Sequence, residues 1–269
     1  MSPQQKIFGG TVPEEQPFKL TNLLVLGQGA PNTPKSLNHQ RATCVALWSE
    51  TDNKYYRIYP VPCGIVGDWD YIDVEVIKSK TDTRKDSFKV YNSDKEWPKI
   101  RIKVLSKKIS REEKIELVKK LATETISKAE KERANFAIID PKETNFIIEQ
   151  RKSEEIDKNQ HKLSDYSEIG EDLDQDPQNQ KAYPWRIKLG YTCKGDCFCQ
   201  KTKPHRQTIV EWGAYEWMRK NSKDKDHCKK LEDNYRLKNK EWKHWLLVGN
   251  QKLHPHKYLV VKIIRFKTN

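Results

Sequence analysis

The stretch DYIDVEVI, from Asp70 to Ile77, alternates strictly, with Ile72, Val74 and Val76 on one side of an extended chain and Tyr71, Asp73, Glu75 and Ile77 on the other. Successive side chains of a β-strand point to opposite faces, so this spacing predicts a strand with one buried and one solvated side. Upstream of it, LTNLLVLG (Leu20 to Gly27), CVALWS (Cys44 to Ser49) and YYRIYPV (Tyr55 to Val61) are short β-branched or aromatic runs between polar turns. They read as strands too. Four strands in succession predict a small antiparallel sheet or barrel, and the chain as a whole reads as α+β. Before Leu20, Gly9, Gly10, Pro13 and Pro17 break any period, so residues 1–19 read as an arm.

Downstream the period changes. Ser110 can cap a helix and Glu113, three residues later, completes a capping box. Ile115, Val118, Ala122, Ile126 and Ala129 follow at helical spacing, which predicts a helix over 110–133. Its other face mixes Lys114, Lys119, Lys120, Lys128 and Lys131 with glutamates and reads as solvated. NFAIIDP and NFIIEQ, residues 135–150, read as one strand broken by Pro141. Residues 151–180 hold almost no large apolar side chains and cannot bury enough surface to order themselves, so they read as an acidic linker. Beyond it, YPWRIKLGYTC (Tyr183 to Cys193) reads as a strand, residues near Glu211 turn from extended to helical, and Lys225 to Lys243 forms a basic helix. WLLVGN (Trp245 to Asn250) and KYLVVKIIRF (Lys257 to Phe266) close the chain as an antiparallel pair. The expected organisation is an arm (1–19), a β-rich module (20–150), a linker (151–180) and a basic module (181–269).

A chain of 269 residues can bury a core without disulfide staples. It has no run near the roughly 18 uncharged apolar residues of a membrane span. Its first residues show neither a basic leader nor an apolar segment, so no membrane association and a cytoplasmic location are expected. In a reducing compartment, clustered cysteines point to metal ligation or free thiols before disulfides. Lysine and arginine total 51 against 38 acids, a net +13. Residues 149–176 carry ten acids and four bases, whereas residues 181–269 carry 22 bases and eight acids. A positive field concentrated in the last third favours phosphate-rich partners, DNA or RNA. The chain has no Walker loop, no G-x-G-x-x-G and no Ser/His/Asp pattern, so those catalytic classes have no support.

The chemistry concentrates in TCKGDCFCQKTKPHRQTIVEW, Thr192 to Trp212. Structural zinc takes four tetrahedral ligands from cysteine sulfur and histidine nitrogen. Cys193, Cys197, Cys199 and His205 offer that set at the spacing C-x3-C-x-C-x5-H. Because a C-x-C pair strains simultaneous ligation, one of Cys197 and Cys199 is expected to stand aside, with Cys228 on the later helix as the replacement. Lys194, Lys201, Lys203 and Arg206 surround the loop and offset the thiolate charge. Cys44 and Cys63, in or beside apolar strands, read as core residues. An enzyme reading starts from His205, Glu211 and Glu216, since a histidine and carboxylates near a metal can activate water. The two glutamates stand five apart and share no helix face, so they read as solvated carboxylates. Arg57 among Tyr55, Tyr56 and Tyr59, Arg84 and Lys85 in a charged turn, and Arg186 and Lys188 beside Trp185 are candidate nucleic-acid contacts, because stacking on single strands combines rings with cations.

CVALWSETDNKYYRIYPVP, FAIIDPKE, the YPWRIKLGYTC…C…H…VEW stretch and LLVGNQKLHPHKYLVVKIIRF together resemble the signature of an uncharacterised prokaryotic protein family. The resemblance implies a unit from Leu20 onward with a metal-like knuckle, and implies nothing catalytic. Tyr56 stands where that signature has tryptophan, and Val210-Glu211 where an aspartate precedes Trp212. The expected function is a non-catalytic nucleic-acid-binding accessory subunit, DNA or RNA, with a structural zinc site, within a larger prokaryotic nucleoprotein or defence complex. The alternatives are a metal-dependent nuclease using His205 and Glu211, and a protein-interaction subunit.

Overall fold

A computed structural model describes residues 16–31, 41–79, 82, 84–93, 101–150, 185–221 and 226–268. The first 15 residues of the expected arm and the whole expected linker lie outside the described residues. Five strands, β1 (Phe18–Gln28), β2 (Ala42–Ser49), β3 (Lys54–Pro62), β4 (Tyr71–Lys78) and β5 (Ser87–Val90), run in the order β1-β2-β3-β5-β4. A β1–β4 pairing closes them into a barrel, and β6 (Ile102–Val104) adds to the outside of β4. All pairings are antiparallel except β3–β5. The alternation that predicted β4 has its cause here: Ile72, Val74 and Val76 point into the barrel beside Leu23, Val25 and Val45, while Asp73 and Glu75 face outward and stay partly solvated.

Strands β1 and β2 do not alternate, because both of their faces are buried. Leu24, Leu26, Ala46 and Trp48 point away from the barrel and pack on Phe136, Ile138, Trp245 and Leu247 of a second sheet. That sheet runs β13 (Tyr258–Lys267), β12 (Trp242–Asn250), β8 (Phe136–Ile139), β7 (Ala122–Thr123). A third sheet, β11 (His205–Thr208), β10 (Trp185–Cys193), β9 (Pro141–Gln150), packs behind it. One strand expectation resolves differently. Residues 135–150 form two strands in two sheets, because the chain leaves the second sheet at Asp140 and β9 begins at Pro141. Both strands pair with partners from residues 185–267, so the structural seam lies near residue 121 instead of in the acidic stretch.

The helix expected over 110–133 is interrupted. Ser110 and Glu113 do form the capping box, and α1 runs Arg111–Leu121, but Ala122 and Thr123 pair in parallel with Ile138 and Ile139 as β7. Thr123, Thr125 and Ile126 are β-branched and hold a helix weakly, so the neighbouring strand edge captures this segment. Only α2 (Ser127–Glu132) resumes. A single turn α3 (Phe198–Lys201) and the helices α4 (Trp212–Asn221) and α5 (His227–Tyr235) complete the chain. The basic helix expected to reach Lys243 stops at Tyr235, where Arg236 adopts a left-handed conformation, and Trp242 opens β12. No described helix is long and apolar enough to cross a membrane.

Candidate metal centre

Cys193 ends β10, and β11 returns antiparallel to it with His205 opposite Tyr191. The hairpin register alone therefore brings the histidine level with the start of the cysteine turn. Between them Lys194 to Asp196 turn, and α3 folds Cys199 back toward the strand end. The result is one ligand atom from each of Cys193, Cys197, Cys199 and His205, all within 4.8 Å of one another. The Cys197 sulfur lies 3.2 Å from His205 Nε2. A tetrahedral zinc with sulfur at about 2.3 Å separates its sulfurs by about 3.8 Å, so the group closes on an ion with small adjustments.

The three cysteines are 0–4 % exposed and belong to the apolar core of this half of the molecule. Burial and the neighbouring thiols push the Cys193 thiol well up. Burial also opposes ionisation of Cys197, but the Cys199 N–H and the Ser127 hydroxyl, 3.7 Å from its sulfur, draw it below the ordinary thiol value. Burial keeps His205 neutral by pulling its pKa down, the state a ligand requires. The turn is held from outside. Gln200 Nε2 donates to Cys193 O at 2.9 Å and Gly195 O at 2.8 Å, and Lys194 N donates to Glu124 O at 3.1 Å. A Cβ on Gly195 would stand 3.0 Å from both Glu124 Cβ and Thr125 Cγ2, a tight approach that a glycine eases.

The structure brings both Cys197 and Cys199 into the group, so neither stands aside. Cys228 is not among the four. It sits on α5 with its thiol donating to Phe146 O at 3.7 Å. Cys228→Ser should therefore leave the metal content of purified protein unchanged, read by elemental analysis, and a loss of metal would overturn this ligand set. Cys63 is exposed in the turn after β3, not in the core, and Cys44 is half-buried beside Arg57.

The enzyme candidates do not assemble. Glu211 is 5 % exposed, not solvated. Its carboxylate accepts from Ile263 N at 2.8 Å and pairs with Lys262 at 3.3 Å. Burial pushes its pKa up against the opposing pull of Lys262. Glu216 pairs with Lys220 along α4.

The basic candidates divide. Arg57 is 6 % exposed and points from β3 into the seam, so it is unavailable to a partner. Arg84 is nearly buried as well, paired with Asp82 at 2.7 Å and donating to Asn250 O. Lys188 holds Glu149 at 2.8 Å, Lys194 holds Asp140 at 2.7 Å, and Arg186 is half-buried on β10 opposite Glu149. Lys85, Lys201, Lys203 and Arg206 are exposed, Lys201 within 3.5 Å of Asp196. The residue that the sequence reading missed is Phe198, 73 % exposed at the tip of the knuckle, between two of the cysteines. An aromatic flanked by buried ligands and followed by Lys201 and Lys203 was the available signal.

Two family models match the chain. One, described as "Domain of unknown function (DUF8758)", covers residues 19–124, and the other, "Domain of unknown function (DUF8757)", covers residues 118–268. Their overlap falls on the end of α1 and on β7, where the structure passes from barrel to second sheet. No curated protein matches the chain.

Proposed function

For a chain that belongs to the DUF8757 family of domains of unknown function, we propose a non-catalytic nucleic-acid-binding role, with a structural zinc held by Cys193, Cys197, Cys199 and His205. The observation that carries this reading is Phe198, a large apolar ring 73 % exposed on a turn whose other non-polar groups are buried. It is followed in the chain by exposed Lys201, Lys203 and Arg206. Exposed rings among cations are what stacking on single strands uses, with the cations on the phosphates. A Cys3His set fills all four positions of a tetrahedral ion with protein ligands, which leaves no open position for water or substrate and supports a structural over a catalytic metal.

The barrel narrows where a strand can lie. Its strand order is that of OB-type barrels, which bind oligonucleotides on the face of strands 2 and 3. Here Trp48, Tyr55 and Arg57 of that face are covered by the second sheet, so the knuckle carries the contact instead. DNA and RNA are equally compatible with stacking and phosphate contact, and a larger nucleoprotein assembly is the setting in which an accessory subunit of this kind acts.

Phe198→Ala should weaken binding to single strands about tenfold, since one stacked base contributes about 1–3 kcal/mol. Reversing Lys201, Lys203 and Arg206 to glutamate should flatten the plot of log affinity against log salt by about 0.7 for each single-strand phosphate that is no longer neutralised. Fluorescence polarisation across a salt series reads both. Wild-type protein that retains its metal and a cooperative melt, yet binds no strand at low salt, would sink the proposal in favour of an acidic protein partner.

A further inference from the structure

A cavity of about 610 Å³ opens at the seam between α1, β7, β12 and the end of β13. It adjoins the knuckle, because Lys194, the residue after the first cysteine ligand, forms part of its wall. Its volume lies within the range of small-molecule sites. The floor is apolar, made of Trp245, Phe266, Ile115 and Ala122. The wall and rim carry five cations, Arg111, Lys119, Lys194, Lys243 and Lys267, against two carboxylates, Glu124 and Asp140. Lys194 and Lys243 both converge on Asp140, which neutralises one of them and leaves the other in excess. Lys119 and Lys267 also meet Glu116 and Glu241 at 2.9 and 3.5 Å, but in solvent-exposed pairs that contribute little and exchange readily.

An apolar floor below a ring of cations fits a ligand that is flat and apolar at one end and multiply anionic at the other. We propose that this cavity takes one nucleotide, its base on the Phe266 and Ile115 floor and its phosphate among Lys194, Lys243 and the rim lysines. The nucleotide is either a unit of a single strand or a free nucleoside monophosphate. The strand form rests on the nucleic-acid reading above, to which it adds a second contact beside Phe198. A concave site admits an unpaired base and excludes a stacked base pair, so it selects single strands over duplex.

The test uses the full chain carrying Lys119→Glu and Lys267→Glu, both exposed and neither a member of the Cys193, Cys197, Cys199 and His205 group. A labelled oligothymidine of about 15 nucleotides, within the length of one single-strand site, is compared with a duplex of the same length. Uridine monophosphate serves as competitor. Expected is an about tenfold loss of single-strand affinity and a clearly smaller loss on duplex, which reads the general change of charge. Unchanged single-strand affinity, or an equal loss on both probes, overturns the cavity while leaving the knuckle reading intact. Displacement of the strand by millimolar uridine monophosphate assigns the free nucleotide as a ligand; loss of strand affinity without displacement assigns the strand. If wild-type protein binds no strand, the nucleic-acid role itself fails, and the cavity then stands only if the monophosphate binds wild type and not the double variant.

Discussion

Cys193→Ser is expected to abolish metal binding and to remove the cooperative melt of the C-terminal half, residues 122–150 and 185–268. The three sulfurs sit inside the apolar core that also contains Ile126, Ile187, Leu189 and Tyr191, so the loss is not confined to a surface loop. A structural zinc supplies roughly 10 kcal/mol or more of folding free energy in finger peptides, whereas whole domains are stable by about 5–15 kcal/mol. Removing one ligand therefore costs a large part of the total stability. Burial already pushes the Cys193 thiol up, so without a cation this sulfur holds a proton in place of a metal bond. Protons compete with metal for these ligands, and wild-type protein should release its metal as pH falls, with the melt destabilised in parallel. Elemental analysis, native mass spectrometry and a thermal melt with and without chelator read all of this. A wild-type protein that carries no metal, or a Cys193→Ser variant that melts as wild type, contradicts the assignment.

The second large effect belongs to Arg57→Met. The guanidinium lies on the Phe136 ring, 4.2 Å from its centre, and donates to Asn135 O at 3.0 Å, Asn250 O at 3.2 Å and Asn250 Oδ1 at 3.1 Å. Its partners are strand-end groups of the second sheet, so this one side chain clamps barrel to sheet. The same corner is tied by Arg84 to Asn250 O and by Asn135 Nδ2 to Lys85 O. Methionine matches the aliphatic stem of the side chain and keeps some contact with Phe136, but it removes all three bonds from a charged donor, each contributing about 1.5–3 kcal/mol, and leaves Asn250 Oδ1 without its donor, while Asn135 O keeps Asn250 N and Asn250 O keeps Arg84. A loss of about 3 kcal/mol or more is expected in denaturant unfolding, with metal content unchanged and, in the folded fraction, strand affinity unchanged. A variant as stable as wild type but weaker in nucleic-acid binding would instead place Arg57 on an accessible surface.

Much of the local structure was legible from residue spacing. The alternation from Asp70 to Ile77, the Ser110–Glu113 capping box and the antiparallel pair at the chain end all reappear, because each depends on neighbours a few residues away. The four residues that could hold a metal were legible as a group for the same reason: a strand end, a turn and a returning strand lie within 13 residues, from Cys193 to His205. Even the uninterrupted apolar runs of β1 and β2 carried the sign of a strand buried on both faces.

Tertiary structure decided what covers each apolar face and which cations stay in water. Hydrophobic period reports that a face is apolar, not which element packs on it, so the burial of Arg57 and Glu211 could not be read from their neighbours in sequence. Strand pairing is likewise non-local: β8 and β9 are consecutive in the chain but belong to different sheets, and Ala122–Thr123 left a helical pattern for a strand edge. That both Cys197 and Cys199, and not Cys228, join the group rests on the α3 turn and on the seating of α5 against Phe146, two placements set by packing. Sequence alone determined that this protein has a β-rich beginning, a basic end and a cysteine–histidine turn. Only the fold, by placing most of the described aromatic residues together with Arg57 in its own interior, left Phe198 facing outward beside exposed Lys201 and Lys203.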